Sequence, residues 1–556
     1  MIMADIIPKI IGRIYIVLPF IKKLKIGETI NKYVEDGGDI DLGTIIEILI
    51  LNRLCGFSTP LYAMARWAEE HGIDEIYGID AKKLTDDRIG AALDKIFAKI
   101  ETLDSQLTVN LLNEFDVDVS EVHFDPSSYE VKGEPCARAG DPKSIEAKKG
   151  RNGKGEFRRQ VRFGVLTTGK GNVVLAGKAY SGNTADSEMH PEFLEQLREV
   201  VKHSNFLWVA DSKFDVLANL LNIFRHGGSF LCPGVFSEEL KKDFLARLER
   251  GEIEWQAVEY VAKADKKKAK KKRPYYKAYE IKVTIKDKAE DGTEKEYEYR
   301  LIFVYSSKKA KQQEETRTKQ IYSIKKRLDS IKRQLNKGDY KERKHIEKKI
   351  GKALNYNPMG RIFNYRLTKV NGLFQLEYSL DDSELQKLKK LDGVYLLKTN
   401  LDKTHSIDDI MRAYKRQGQI EERIKIIKGP LSIAPNFLRD PKRIASLVFV
   451  VIQALKVYSI IEYETRKAIE DYGEPIPILP EGRKTSNPSG ETILRLFDNS
   501  VSILISHDSQ GNKIRKLTKP NEIQLLIFRI LYIKPPDLRS LSRKFGKRNG
   551  RNHPPP

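Results

Sequence analysis

Three carboxylates carry the chemistry that this sequence suggests. Asp125 closes the apolar run of Val122, His123 and Phe124, and Asp211 closes the run from Phe206 to Ala210, so each is expected at the end of a buried strand. Glu421 lies in a segment with helical spacing. Strand ends and a covering helix converge at one edge of a sheet, and carboxylates gathered there suit Mg2+, a hard cation that prefers oxygen ligands. Two such ions, roughly 3.5–4 Å apart, activate an attacking oxygen and stabilise a leaving oxygen at phosphorus. Taken singly, either Asp reads more readily as the start of a turn, and only the set of three carries the metal reading.

Tyr414, Glu421 and Lys428 are spaced seven apart. At ~100° per residue, seven residues fall about 20° short of two helical turns, so the three share one stripe. An aromatic hydroxyl, a carboxylate and an ammonium in line fit a metal ligand flanked by phosphate contacts, although a polar stripe is also what a solvated helix face looks like. His123 precedes Asp125 by two and shares its strand face, where a packing or hydrogen-bonding role is expected because this chemistry needs no histidine base.

The elements that must hold these residues follow from periodicity. Residues from about Ile26 to Phe115 have helical spacing, with turns at Gly56 and Gly72 and with Thr85 as a cap before Asp86. After Val117 the pattern becomes strand, hairpin, helix, strand: Val122–Asp125, Val161–Val165 turning at Gly169 to Gly171 into Val173–Ala179, then Glu192–Val201 and Phe206–Asp211. Tyr279 to Ile285 and Tyr297 to Phe303 alternate around Asp291 and Gly292, which predicts a hairpin. Ile321, Ile324, Leu328, Ile331 and Leu335, then Ile346, Ile350 and Leu354 beyond Gly338, predict an antiparallel helical hairpin in a Lys- and Arg-rich background. A strand at Val394–Lys398 precedes one long helix from about Ser406 to Ile427, opened by a Ser406/Asp409 capping pair.

The chain has 556 residues and a formal charge of +22, which favours a polyanionic partner without saying which. Cys55, Cys136 and Cys232 have no metal-ligand spacing, which excludes a disulfide scaffold and a structural zinc site and fits a reducing compartment. Ile444 to Ile461 is apolar but broken by Ser446, Gln453, Lys456 and Ser459, so it reads as a buried helix rather than a membrane span. Lys263 to Lys277 holds nine basic residues with Tyr275 and Tyr276 among them. Lys266, Lys267, Lys270, Lys271 and Arg273 are therefore candidate backbone contacts on a flexible hairpin tip, or else a solvated loop. The basic, proline-ended stretch from Arg539 to Pro556 is expected to be disordered.

Phe124-Asp125, Val209-Ala210-Asp211, Gly182 to Ser187, Asp392 to Asn400, and Tyr414 followed by Glu421 and Lys428 together resemble the DDE transposases of prokaryotic insertion sequences, over roughly Asp125 to Glu470. The resemblance implies an α/β, ribonuclease H-like catalytic core interrupted by a large β-rich and helical insertion, behind an all-α N-terminal domain. It also implies two Mg2+ ions, replaceable by Mn2+, with Asp125 bridging them and Asp211 and Glu421 each completing one site. The implied reaction is hydrolysis at the element's ends to expose 3′-hydroxyls that attack target DNA. Tyr414, Arg416 and Lys428 would touch DNA. The expected partners are duplex DNA, as terminal inverted repeats and target, and a second copy pairing two ends; no membrane is expected, and the setting is a prokaryotic cytoplasm at the nucleoid. The expected divisions are 1–116 (helical, end-binding), 117–233 and 391–470 (catalytic core), 234–390 (insertion) and 471–556 (C-terminal region). One departure stands out: Gln417 occupies the position where the family usually has Arg, with Arg416 one place earlier. An element-derived DNA-binding protein with impaired catalysis is therefore the alternative, and a nuclease that cuts without joining is a third reading.

Overall fold

Val161, Phe163 and Val165 are fully shielded from solvent, and the strand that carries them, Phe157–Thr168, is the spine of a mixed α/β structure. The computed structural model describes residues 6–55, 59–132, 144–151, 156–288, 294–433, 438–498 and 500–541. Gly56, Cys136, the Asp291-Gly292 turn and the tail beyond residue 541 lie outside the described residues. Contacts divide the chain into two units, residues 1–228 with 416–556, and residues 229–415.

In the first unit, Phe157–Thr168 pairs antiparallel with Glu121–Glu130 on one edge and, in succession along the other, with Lys148–Arg151 and Val174–Tyr180. Glu121–Glu130 in turn pairs parallel with Leu207–Val209. The helix Pro441–Tyr472 covers this sheet. It is apolar and long enough to cross a membrane, yet its apolar stretch is wholly buried inside this unit. Its approach to Val174–Tyr180 is so close that a Cβ on Gly177 would stand 2.6 Å from the Ile452 side chain, so only glycine fits there. Val174 N–H donates to Ser459 Oγ at 3.0 Å across the same contact. Leu42–Leu54 and Asp86–Phe97 pack on other faces of the helix, and Thr85 caps the second of them by accepting from Arg88 N–H at 3.2 Å.

The N-terminal stretch also holds a strand, Ile7–Ile10. It pairs antiparallel with Ser502–His507, which pairs with Lys513–Leu517. Four residues have no periodicity of their own to reveal this; the strand exists because its partner, near the other end of the sequence, supplies the ladder.

The second unit is built on an antiparallel sheet in the order Ser229–Gly234, Val394–Thr399, Glu294–Ser306, Tyr276–Lys288, Gln256–Val258. The strand Val394–Thr399, expected from sequence as the catalytic core resuming, is paired on one side with Ser229–Gly234 and on the other with Glu294–Ser306. Between Glu294–Ser306 and Val394–Thr399 the chain leaves the sheet as Ser307–Gln334 and returns through Arg343–Leu354, then the ribbon Phe363–Val370 and Leu373–Leu380, and Asp382–Lys390. This excursion has its own apolar core, in which Ile324, Leu328, Ile346 and Ile350 meet Leu367, Phe374 and Leu376. The helical hairpin was legible in the sequence; the two-stranded ribbon that backs it was not. The lysine-rich stretch joins two neighbouring antiparallel strands, Gln256–Val258 and Tyr276–Lys288, as a hairpin connection, and folds there into two short helical turns, Lys263–Lys266 and Lys270–Lys272. There Arg273 donates to the Lys268 and Lys266 carbonyls at 2.8 and 2.7 Å and closes the segment on itself.

Candidate active site

Asp125 does not end its strand. Glu121–Glu130 runs five residues beyond it, and Asp125 stands opposite Val165 in mid-strand. The parallel register on the other side matches His123 with Val209, so counting on by two reaches Asp125 and Asp211 together. Neighbouring strands are ~4.8 Å apart, and the C-terminal ends of parallel strands open at one sheet edge, so both carboxylates belong to the same edge. Asp211 leaves the strand at once and caps the turn Ser212–Phe214, accepting from Lys213 N–H at 2.9 Å. That bond fixes one of its oxygens.

The electrostatics tie Glu421 to this pair. Burial first, then the charges of Asp211 and Glu421, push the Asp125 carboxyl up to about 7, against an opposing pull from Lys428. Burial also raises Asp211, although its backbone hydrogen bonds, Lys213 and Arg162 work the other way. Lost solvation lowers the Lys428 ammonium, while Asp125 favours its charge. Negative charge is therefore concentrated around Asp125 beyond what Lys428 offsets. Glu421 itself is exposed on the helix Gly418–Lys428. Among the described residues, no group of three or more His, Cys, Asp or Glu side chains is drawn tightly enough together to hold a metal ion. The donor set, three carboxylates with two of them largely withdrawn from solvent, still fits a hard divalent cation.

The helix that carries Glu421 is anchored twice. Arg423, buried, donates to Glu462 at 2.9 Å and to the Asn172 carbonyl at 2.8 Å, which fastens it to Pro441–Tyr472 and to the turn before Val174–Tyr180. At its start, Gln417 Nε2 donates to the Phe124 carbonyl, next to Asp125, at 3.0 Å. That bond orients the amide so that Oε1 faces His123 Nδ1 at 2.6 Å, and His123 Nε2 meets Glu121 Oε1 at 2.8 Å. Both ring nitrogens thus face acceptor oxygens. Arg416 completes the set with paired bonds to the two Glu121 oxygens, one at 2.6 Å. Burial would raise Glu121, but Arg416 and His123 outweigh it and bring the carboxyl down to about 2.

Several expectations change here. The single helix from Ser406 to Ile427 is two helices, Ile407–Arg416 and Gly418–Lys428, interrupted at Gln417, where Ile420 N–H reaches back only three residues, to the Gln417 carbonyl, at 3.3 Å. Gly418, a poor helix former, follows the interruption. The Ser406/Asp409 cap is present, with Asp409 N–H donating to Ser406 Oγ at 3.2 Å. Tyr414 belongs to the second unit, 6.0 Å from Tyr395 between ring centres and with Lys415 over its face, whereas Glu421 and Lys428 belong to the first. Arg416 is committed to a carboxylate. Lys266, Lys267, Lys270 and Lys271 are exposed in the second unit, and Arg273 is bonded within its own loop. Sequence reasoning missed Glu121 and did not see what Gln417 holds. The period-two rule, which puts 121, 123 and 125 on one strand face, was the signal for Glu121.

A family model described as Transposase DDE domain matches residues 115–455, and one described as Domain of unknown function (DUF4277) matches residues 8–107. No curated protein matches the chain. Among solved structures, the chain is similar to one described as "Cryo-EM structure of piggyBac transposase synaptic complex with hairpin DNA (SNHP)". The identity is 8% and the TM-score 0.34, over 88% of this chain and 81% of that one.

Proposed function

The chain belongs to the transposase DDE domain family, and from that premise we propose that it cuts DNA at the ends of its own element and joins them to a target, on a ribonuclease H-like core formed by the mixed sheet of the first unit. Asp125, Asp211 and Glu421 would hold Mg2+, or Mn2+ in its place. The observation that carries this is the register that brings Asp125 and Asp211 to one sheet edge, with Glu421 near enough for its charge to act on Asp125. When bound, the cations supply charge neutralisation and Lewis-acid polarisation at phosphorus.

The chain's own residues do the positioning. Lys213 N–H fixes one oxygen of Asp211, and the bond from Gln417 to the Phe124 carbonyl joins the strand of Asp125 to the helix of Glu421. Lys428, beside Asp125, would take a phosphate oxygen of the bound strand. No protein nucleophile is required, because in phosphoryl transfer of this kind positioning and charge stabilisation carry the rate. Replacing Asp125, Asp211 or Glu421 by Ala is expected to lower divalent-dependent nicking of element-end duplex by at least about 100-fold while duplex affinity stays within a few-fold. Nicking that survives in all three variants overturns the assignment.

One observation favours a second reading, in which the protein binds its ends without cutting. Arg416 is neutralised by Glu121, and Gln417, in the position of the family's usual Arg, is spent on His123 and Phe124. Binding of end duplex with no nicking in Mg2+ or Mn2+ would select it.

A further inference from the structure

Half of the chain's excess charge sits on one helical hairpin. Residues 307–354 contain 17 Lys and Arg against six Asp and Glu, a net +11 of the total +22. The hairpin is an arm with a fixed base. It leaves and re-enters the second unit's sheet between two strands that pair directly with each other, Tyr305 opposite Val394, and Ser306 N–H reaches the Gly393 carbonyl at 3.0 Å. Gly393 has φ +79°, and a Cβ there would lie 2.7 Å from the Ser306 carbonyl oxygen, so this closure needs glycine. Arg317, buried, forks onto Asp392 at 2.7 and 2.5 Å, and Gly393 N–H donates to Gln313 at 2.6 Å. From that base Ser307–Gln334 extends 28 residues, about 42 Å at 1.5 Å per residue.

Each helix spends one face on the arm's own core and turns a row of cations the other way. On Ser307–Gln334 the row is Lys319, Lys326 and Arg333, each seven apart; on Arg343–Leu354 it is Lys344, Lys348 and Lys352, each four apart. All six are exposed, and among the described residues none makes an ion pair. Tyr322, 69% exposed, lies in the first row. A solvated helix normally intersperses acids with such cations; here the acids alongside the rows, Asp329 and Glu347, are taken up by Tyr378 Oη at 2.5 Å and by Arg343 at 3.1 Å, which leaves the six cations unneutralised.

We propose that this outer face is a docking surface for the sugar-phosphate backbone of duplex DNA, a binding site additional to the carboxylate site and resting on the reading of the chain as a DNA-acting transposase. Charge complementarity selects the partner: a stiff, straight row of cations over about 21 Å meets a polyanion of regular phosphate spacing, and each phosphate neutralised releases counterions. The rows lack the successive aromatic platforms that single strands stack on.

The test uses the full chain with Lys319, Lys326, Arg333, Lys344, Lys348 and Lys352 all changed to Ala, and a random-sequence duplex titrated across a salt series. The slope of log affinity against log salt is expected to become shallower by about 3–5, at ~0.9 per lost phosphate contact, and affinity near 0.15 M salt to fall at least tenfold. The double reversal Lys326→Glu with Lys348→Glu repeats the measurement should the sixfold variant melt early. An unchanged slope in a folded variant overturns the proposal, as does a loss confined to single-stranded RNA or anionic vesicles. Failure of the parent to nick end DNA would refute the transposase reading while leaving the slope to decide the docking surface.

Discussion

Asp125 is held in an environment that opposes its charge, which has a measurable consequence. Burial and the neighbouring carboxylates raise it from 3.8 to about 7, so between those values the folded protein binds the proton more readily than the unfolded chain does. Stability is therefore lost as pH rises through that window and regained as pH falls. Asp125→Asn removes the effect: without divalent cation it is expected to be more stable than the parent at pH 8, by roughly 1–3 kcal/mol, with the gap closing toward pH 4. Urea unfolding in chelator at both ends of the window checks this, and a gap independent of pH contradicts it. The three carboxylates stood out in the sequence because their types and chain context are restrictive. Glu121 did not, because its worth lies in the bidentate bond to Arg416, 295 residues away, and nothing local announces that partner.

At the scale of elements, Gln417 joins a helix start to a strand. Gln417→Leu keeps the volume but removes the donor to the Phe124 carbonyl and the acceptor for His123, leaving both buried groups unpaired. The expected cost is about 1–3 kcal/mol in denaturant unfolding, together with slower nicking at unchanged duplex affinity. Nicking that falls only in step with duplex affinity would show that Gln417 acts in DNA binding instead of in placing the helix. Helical spacing predicted one continuous helix through this point, because an interruption that keeps Gln417 near helical angles, φ −51° and ψ −32°, leaves the apolar period intact. The ribbon Phe363–Val370 and Leu373–Leu380 escaped notice for a related reason. It buries only part of each face, Phe363 and Leu367 on one strand and Phe374 and Leu376 on the other, so its alternation is weak.

Across the whole molecule, the first unit is drawn together around the helix Pro441–Tyr472, and a buried ion pair marks the join. Lys456 Nζ meets Asp104 Oδ1 at 3.0 Å and Thr108 Oγ1 at 3.0 Å, with Asp104 also accepting from Gln453 at 2.8 Å and Gln196 at 3.1 Å. Asp104→Ala strands a buried ammonium and is expected to cost about 3–5 kcal/mol, more than Lys456→Met, which leaves Asp104 its other donors. The reverse order in denaturant unfolding would contradict this. The mixed α/β class, the buried apolar helix and the basic hairpin were readable from composition and period, whereas the sheet uniting Ile7–Ile10 with Ser502–His507 and Lys513–Leu517 was not, since no local pattern encodes a pairing across nearly the whole chain. The charge of +22 was likewise only a total; the structure resolves it into an arm carrying half the excess and a carboxylate edge carrying the opposite sign.

The most direct test of that edge is to let a metal report its own position. Fe2+ substituted for Mg2+ in the full-length protein, with ascorbate and peroxide, generates radicals that cut the backbone beside the bound ion. The expected cuts cluster around residues 125, 211 and 421, fade when Mg2+ competes, and disappear in Asp125→Ala. Cuts elsewhere in the chain, or cuts at these positions that persist in Asp125→Ala, would contradict a divalent-cation centre built from the three carboxylates.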